Sequence, residues 1–128
     1  MANDLISEAL LDAIAQQESR NNPHAIGDKA LENKAYGAYQ MRLPALQDVQ
    51  QRRKQYTTTK LEDILGDAKT QRELARLYLD VLMNDYGLTT FERLVTGYNA
   101  GPTAVRRGKV PAKSIQYMND VKARLGQP

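Results

Sequence analysis

Apolar residues recur along this chain at intervals of three and four, and no run alternates at the interval of two that a half-buried strand requires. The spacing therefore predicts a mostly α-helical chain. In the first segment Ile6, Leu10 and Ile14 mark the apolar stripe of a helix running from about Asp4 to Arg20. Asn21-Asn22-Pro23 stops it, because the residue before a proline is pushed out of helical geometry. From Pro23 to Ala35 small and polar residues replace the period, with Gly27 and Asn33 available for turns, and an irregular segment or short β-hairpin flap is expected. A second helix opens at Pro44, a favoured first-turn residue, and carries Leu46, Val49 and Arg53 along one side, with Gln50 to Lys54 as its solvated end.

Three capping boxes follow. Thr59-Lys-Leu-Glu62 starts a short helix that Gly66 ends, and Thr70-Gln-Arg-Glu73 opens the longest later one. The latter's Leu74, Leu77, Tyr78, Val81 and Leu82 form a wide core stripe, closed by Gly87. Thr89-Thr-Phe-Glu92 opens a helix through Leu94 and Val95 that delivers Tyr98 and Asn99 at its end. Gly101-Pro102 then breaks the chain, and Arg106-Arg107-Gly108-Lys109 reads as an exposed basic turn. Ser114 caps a last helix with Ile115, Met118, Val121 and Leu125 on one side and Gly126 at its end. No repeat, low-complexity tract or linker divides the chain, so residues 1–128 read as a single domain.

Composition narrows the classes of function. A hydrophobic share of 41% with 26% charged residues is that of a soluble globular protein. No apolar run approaches the roughly 18 residues of a membrane span. Met1-Ala-Asn-Asp4 has no basic flank, and Ser7, Glu8 and Asp12 interrupt the apolar pattern behind it, so no secretion signal is expected. Zero cysteines exclude disulfides, thiol catalysis and thiolate metal sites, and one histidine, His24, leaves little for a transition metal. No metal and no cofactor are expected. The net charge of +3, from 18 Lys+Arg against 15 Asp+Glu, favours approach to an anionic wall or nucleic acid only mildly. Most of these charges solvate the surface.

The candidate chemistry starts at Glu18, the next position on the stripe of Ile6, Leu10 and Ile14. A carboxyl at the edge of an apolar core has its ionised form disfavoured and carries a proton near neutral pH, as a general acid must. The competing reading is a helix-end surface glutamate, the commonest fate of the residue. Its place on the stripe and the adjoining loop break argue against that. Gly37 permits tight backbone approach, and Gln40 has an amide that both donates and accepts. Tyr36 and Tyr39 are candidates for stacking on a ring, one of them as core filling. Asn99-Ala100-Gly101, taken alone, is a helix stop.

Taken together, Gln17-Glu18-Ser19, Asn22-Pro23-His24-Ala25-Ile26, Gly37-Ala38-Tyr39-Gln40, Tyr98-Asn99-Ala100-Gly101, and Tyr117 with Val121 resemble the soluble lytic transglycosylase domain. That family is related to goose-type lysozyme and cleaves peptidoglycan. The likeness runs from about Leu10 to Val121, with the motifs in the family's order. It implies a lysozyme-like single domain whose cleft lies between the first helix with its flap and the later helices. It also implies that Glu18 protonates the glycosidic oxygen between N-acetylmuramic acid and N-acetylglucosamine. Glu18 then takes a proton from the muramic acid 6-hydroxyl, which closes a 1,6-anhydro ring. By the same likeness Ser19, Gln40, Tyr39, Tyr98, Asn99 and Tyr117 belong to the substrate site, with Ser19 also fixing the loop and the Tyr117 hydroxyl bonding to the acid. His24 receives no role.

The implied partner is the peptidoglycan glycan strand, met by a monomer in the periplasm or cell wall. With no leader expected, delivery points to a phage endolysin, a component carried by the virion, or a secretion-system accessory whose leader has been removed. A hydrolytic muramidase is the close alternative. It needs a second carboxylate roughly 6.5 to 9.5 Å away, for which Asp28 and Glu32 on the flap are the candidates. A catalytically inactive wall-binding relative and a basic nucleic-acid-binding module using Gln50 to Lys54 are further alternatives. The latter has no recognition-helix pattern and gives Glu18, Gln40 and Asn99 no reason to converge.

The chain departs from the family in three places. Gly27 stands where a serine usually contacts the substrate's acetamido group, the flap is longer by about four residues, and Gln71-Arg72 replaces the usual Asn-Ile. The last change is expected to bear on packing more than on chemistry.

Overall fold

The computed structural model describes residues 5–126, so the expected helix start at Asp4 and the segment Met1 to Asp4, for which no secretion signal was expected, lie outside the described residues. Within that span six α-helices and one two-stranded hairpin follow in order. They are α1 (Glu8–Ser19), β1 (Ile26–Gly27), β2 (Ala35–Tyr36), α2 (Leu43–Arg53), α3 (Ala68–Asn84), α4 (Phe91–Ala100), α5 (Pro102–Arg106) and α6 (Ala112–Arg124), with a 3-10 turn at Leu61–Ile64. The mostly helical, lysozyme-like class with a hairpin flap is therefore the one the structure has.

Helix α3 is the centre of the core. Leu74, Ala75, Leu79, Val81, Leu82 and Met83 are all buried to within 1% of full burial, more of its circumference than one stripe covers. It packs against α2, α4 and α1, while α6 packs against α4 and α1. Each fully buried leucine contributes roughly 1.5–3 kcal/mol, so this column of side chains is a main source of the fold's stability. Among the described residues no helix is long and apolar enough to cross a membrane.

Several helix starts differ from the sequence expectation, and at α1, α3 and α4 a side-chain oxygen of another residue takes the cap. Helix α1 begins at Glu8, where Ser7 accepts from the Leu10 N–H at 3.0 Å. Asp67 caps α3, accepting from the Thr70 N–H at 3.1 Å and from its hydroxyl at 2.7 Å, so Thr70 lies inside the helix. Thr90 caps α4 where Thr89 was expected. Thr59 caps nothing, and the segment after it is the 3-10 turn. Helix α6 starts two residues before Ser114, which is fully buried inside it.

Two further differences come from tertiary packing. Gln51, Arg52 and Lys54 are exposed, as a solvated end requires, but Arg53 pairs with Asp80 and Asp85 while Arg52 pairs with Asp48 and Asp85. The pairs to Asp80 and Asp85 tie α2 to the end of α3, the Arg52–Asp48 pair lies within α2, and both arginines of the basic run are therefore already engaged. Past Gly101, the chain forms the short helix α5 before the exposed basic turn.

The flap is a hairpin in which Ile26 pairs with Tyr36 and Gly27 with Ala35. Tyr36 and Met41 then exchange backbone hydrogen bonds of 2.9 and 3.0 Å across a four-residue turn, Gly37 to Gln40. Gly37 has φ +82 and Gln40 φ +49. Glycine adopts the left-handed region freely, whereas for glutamine it is an uncommon conformation that surrounding contacts must hold.

Candidate active site

The hairpin, the end of α1, the end of α4 and the first half of α6 enclose an open cleft of about 860 Å³. Glu18 reaches it because α1 ends one residue later. Arg20 and Asn21 both turn left-handed, and their N–H groups close on Gln16 O at 3.0 Å and Ala15 O at 2.9 Å. The helix is terminated there, and its last inward-facing side chain is left at the mouth of the core.

Glu18 is partly buried, and its Oε2 accepts the Tyr117 hydroxyl at 2.8 Å, a contact between residues 99 positions apart. Burial raises the Glu18 carboxyl to about pH 7, partly opposed by the Tyr117 hydrogen bond and more weakly by the Arg42 guanidinium. Tyr117 is itself buried, and burial with the adjacent carboxylate holds its phenol well above the usual range. The pair therefore amounts to one exchangeable proton on Glu18, near neutral pH, beside a donor that keeps its own.

Gln40, Tyr98, Asn99 and Tyr117 join Glu18 along the cleft. The Gln40 Nε2 donates to Gly37 O at 2.9 Å and, at 3.4 Å, to Ala25 O, so both amide protons are used on the backbone. Its Oε1 lies over Gly27, where an added Cβ would approach it to 2.1 Å. The space left by the missing side chain at Gly27 is thus filled by the Gln40 carbonyl. Tyr98 donates to Tyr39 O at 2.8 Å and packs its ring 5.7 Å from that of Tyr78. Asn99 is exposed in the cleft wall, and its Oδ1 accepts from Ser114 Oγ at 2.7 Å, which turns its amide donors outward.

Ser19 and Tyr39, expected beside the substrate, lie outside the cleft lining. The Ser19 hydroxyl donates to Ala38 O at 2.7 Å and accepts from Asn22 N–H at 2.9 Å, a join between the helix end and the turn. Tyr39 is buried, and its hydroxyl accepts from Arg72 at 2.8 Å on the far side of the turn. Of the two flap carboxylates, Glu32 is exposed away from the cleft, whereas Asp28 lines it in an ion pair with Arg42. His24 packs its ring on Gly66 and does not line the cleft.

Sequence reasoning missed Asp120, which lines the cleft and accepts from Gln116 at 2.8 Å and Gln17 at 3.4 Å. Its position three residues after Tyr117 places it on the same face of α6, a signal that was available.

The family model described as Transglycosylase SLT domain matches residues 1–120 of this chain. Neither the curated proteins nor the solved structures contain a significant match.

Proposed function

The chain belongs to the transglycosylase SLT domain family, and on that premise we propose that residues 1–128 form one catalytic domain in which Glu18 is the single acid/base. The family activity is glycan cleavage of the lytic transglycosylase type, on cell-wall peptidoglycan.

In the proposed reaction the Glu18 carboxyl gives its proton to the β-1,4 oxygen joining N-acetylmuramic acid to N-acetylglucosamine, and the bond to the muramic acid C1 breaks. The carboxylate then takes the proton of the muramic acid 6-hydroxyl as that oxygen bonds to C1. The product is a 1,6-anhydro end, no water is consumed, and Glu18 is again protonated. The observation that carries this reading is the Glu18 carboxyl itself, set in a large cleft, raised to about pH 7 by burial and aligned by Tyr117. A group that must be acid and then base works best with a pKa near the operating pH.

Hydrolysis by a second carboxylate is less well supported. Asp28 is engaged by Arg42, Glu32 stands outside the cleft and Asp120 is held by Gln116 and Gln17, which favours the substrate's own hydroxyl as the nucleophile. In the binding site we assign the free Gln40 carbonyl over Gly27 to the acetamido N–H of a bound sugar, and the outward Asn99 amide to a sugar oxygen. Mass spectrometry of the fragments released from purified peptidoglycan tests the reaction. Anhydro ends are expected from the wild type and no release from Glu18→Gln, whereas reducing ends would make the enzyme a muramidase.

A further inference from the structure

Gln71 is a polar side chain buried to 6% exposure, one turn into α3. Its Oε1 accepts from the Ala38 N–H at 2.9 Å, and its Nε2 donates to Pro23 O and Ile64 O, both at 2.9 Å. One side chain thus joins the loop after α1, the Gly37–Gln40 turn and the 3-10 turn, with both of its donors used. A Cβ added at Gly37 would meet the Gln71 amide carbon at 2.5 Å, so the turn glycine is what lets the amide approach.

The next residue grips the next position of the same turn. Arg72 donates to the Tyr39 hydroxyl at 2.8 Å and to Asp12 at 2.8 Å, and it pairs with Glu8, anchoring Tyr39 to the outer face of α1. The Ala38 peptide is held from both sides, its N–H by Gln71 and its C=O by Ser19, the neighbour of Glu18. Gln40 follows immediately, in the left-handed conformation that needs such support.

Resting on the reading of the cleft given above, we infer that Gln71 and Arg72 are positioning residues that fix Gln40 against Glu18 and so set how tightly the sugar is held. They touch neither Glu18 nor the cleft, so their removal alters binding and leaves the titration of Glu18 where it is. Packing alone makes a different prediction, a loss of stability with binding unchanged.

Calorimetric binding of an N-acetylglucosamine oligomer to Glu18→Gln protein, alone and combined with Arg72→Met, Arg72→Lys or Gln71→Glu, separates the two. Arg72→Met is expected to weaken binding about tenfold, as the loss of one positioned hydrogen bond does. Gln71→Glu, which keeps the acceptor and loses both donors, weakens it more, and Arg72→Lys recovers part of the loss. With Glu18 intact, Arg72→Met raises KM and leaves the basic limb of kcat/KM near pH 7. Unchanged affinity with only a lowered Tm overturns the inference, as does a moved limb or an oligomer that fails to bind the parent. If Gln71→Glu does not fold, the arginine variants decide. Should the wild type release no glycan while oligomer binding still depends on Arg72, the enzymatic reading falls and this one stands.

Discussion

Replacing Glu18 by glutamine removes the proton chemistry while keeping the shape, and the structure fixes what that does to stability. The carboxyl titrates near 4.5 in the unfolded chain and is raised to about 7 in the fold, with burial as the main cause. A group whose folded pKa is raised contributes stability fully below its unfolded pKa, and that contribution is lost as pH climbs through the folded one. Between pH 4.5 and 7 the folded wild type therefore loses stability, at about 1.4 kcal/mol per pH unit, or about 3 kcal/mol in total.

Glu18→Gln has no such loss. Its amide oxygen keeps the Tyr117 hydrogen bond, so the variant should match the wild type near pH 4 and exceed it by about 3 kcal/mol at pH 8. For a domain of this size that is a Tm gain on the order of 10 °C. Urea unfolding followed by circular dichroism at pH 4, 5.5, 7 and 8.5 measures the difference. A gap between the two proteins that stays constant with pH would refute the claim that burial holds this carboxyl protonated.

Removing the opposing influence moves the titration the other way. Tyr117→Phe deletes a hydrogen bond to the ionised form, worth about 1.5–3 kcal/mol, and should carry the basic limb of kcat/KM upward by about one to two pH units. A limb that stays or falls contradicts the assignment of Tyr117. At Gly27 the backbone lies outside the left-handed region, so Gly27→Ser folds, but its Cβ occupies the place of the Gln40 Oε1 and swings that amide away from Gly37 O. Steady-state kinetics should then show KM raised severalfold with little change in Tm, and an unchanged KM would remove Gln40 from the sugar contacts.

The α3 stripe and the place of Glu18 on the inward face of α1 were legible in the sequence because a helix repeats every 3.6 residues, so a few neighbours suffice to define its buried side. Leu74, Val81 and Leu82 are as buried as their spacing requires. Caps were less legible, since Asp67 and Thr70 both offer an oxygen within one turn, and the competition between them depends on backbone geometry. The working parts of the cleft were decided by tertiary structure. The Tyr117 contact to Glu18, the Gln71 join to Ala38 and the Gln40 carbonyl over Gly27 each link segments that no local period relates. Gln71-Arg72, expected to matter for packing, carries hydrogen bonds because folding brings α3 behind the turn. A motif states which side chains are present, but desolvation and partner distance set the acidity of a carboxyl, and both exist only once the chain has closed around it.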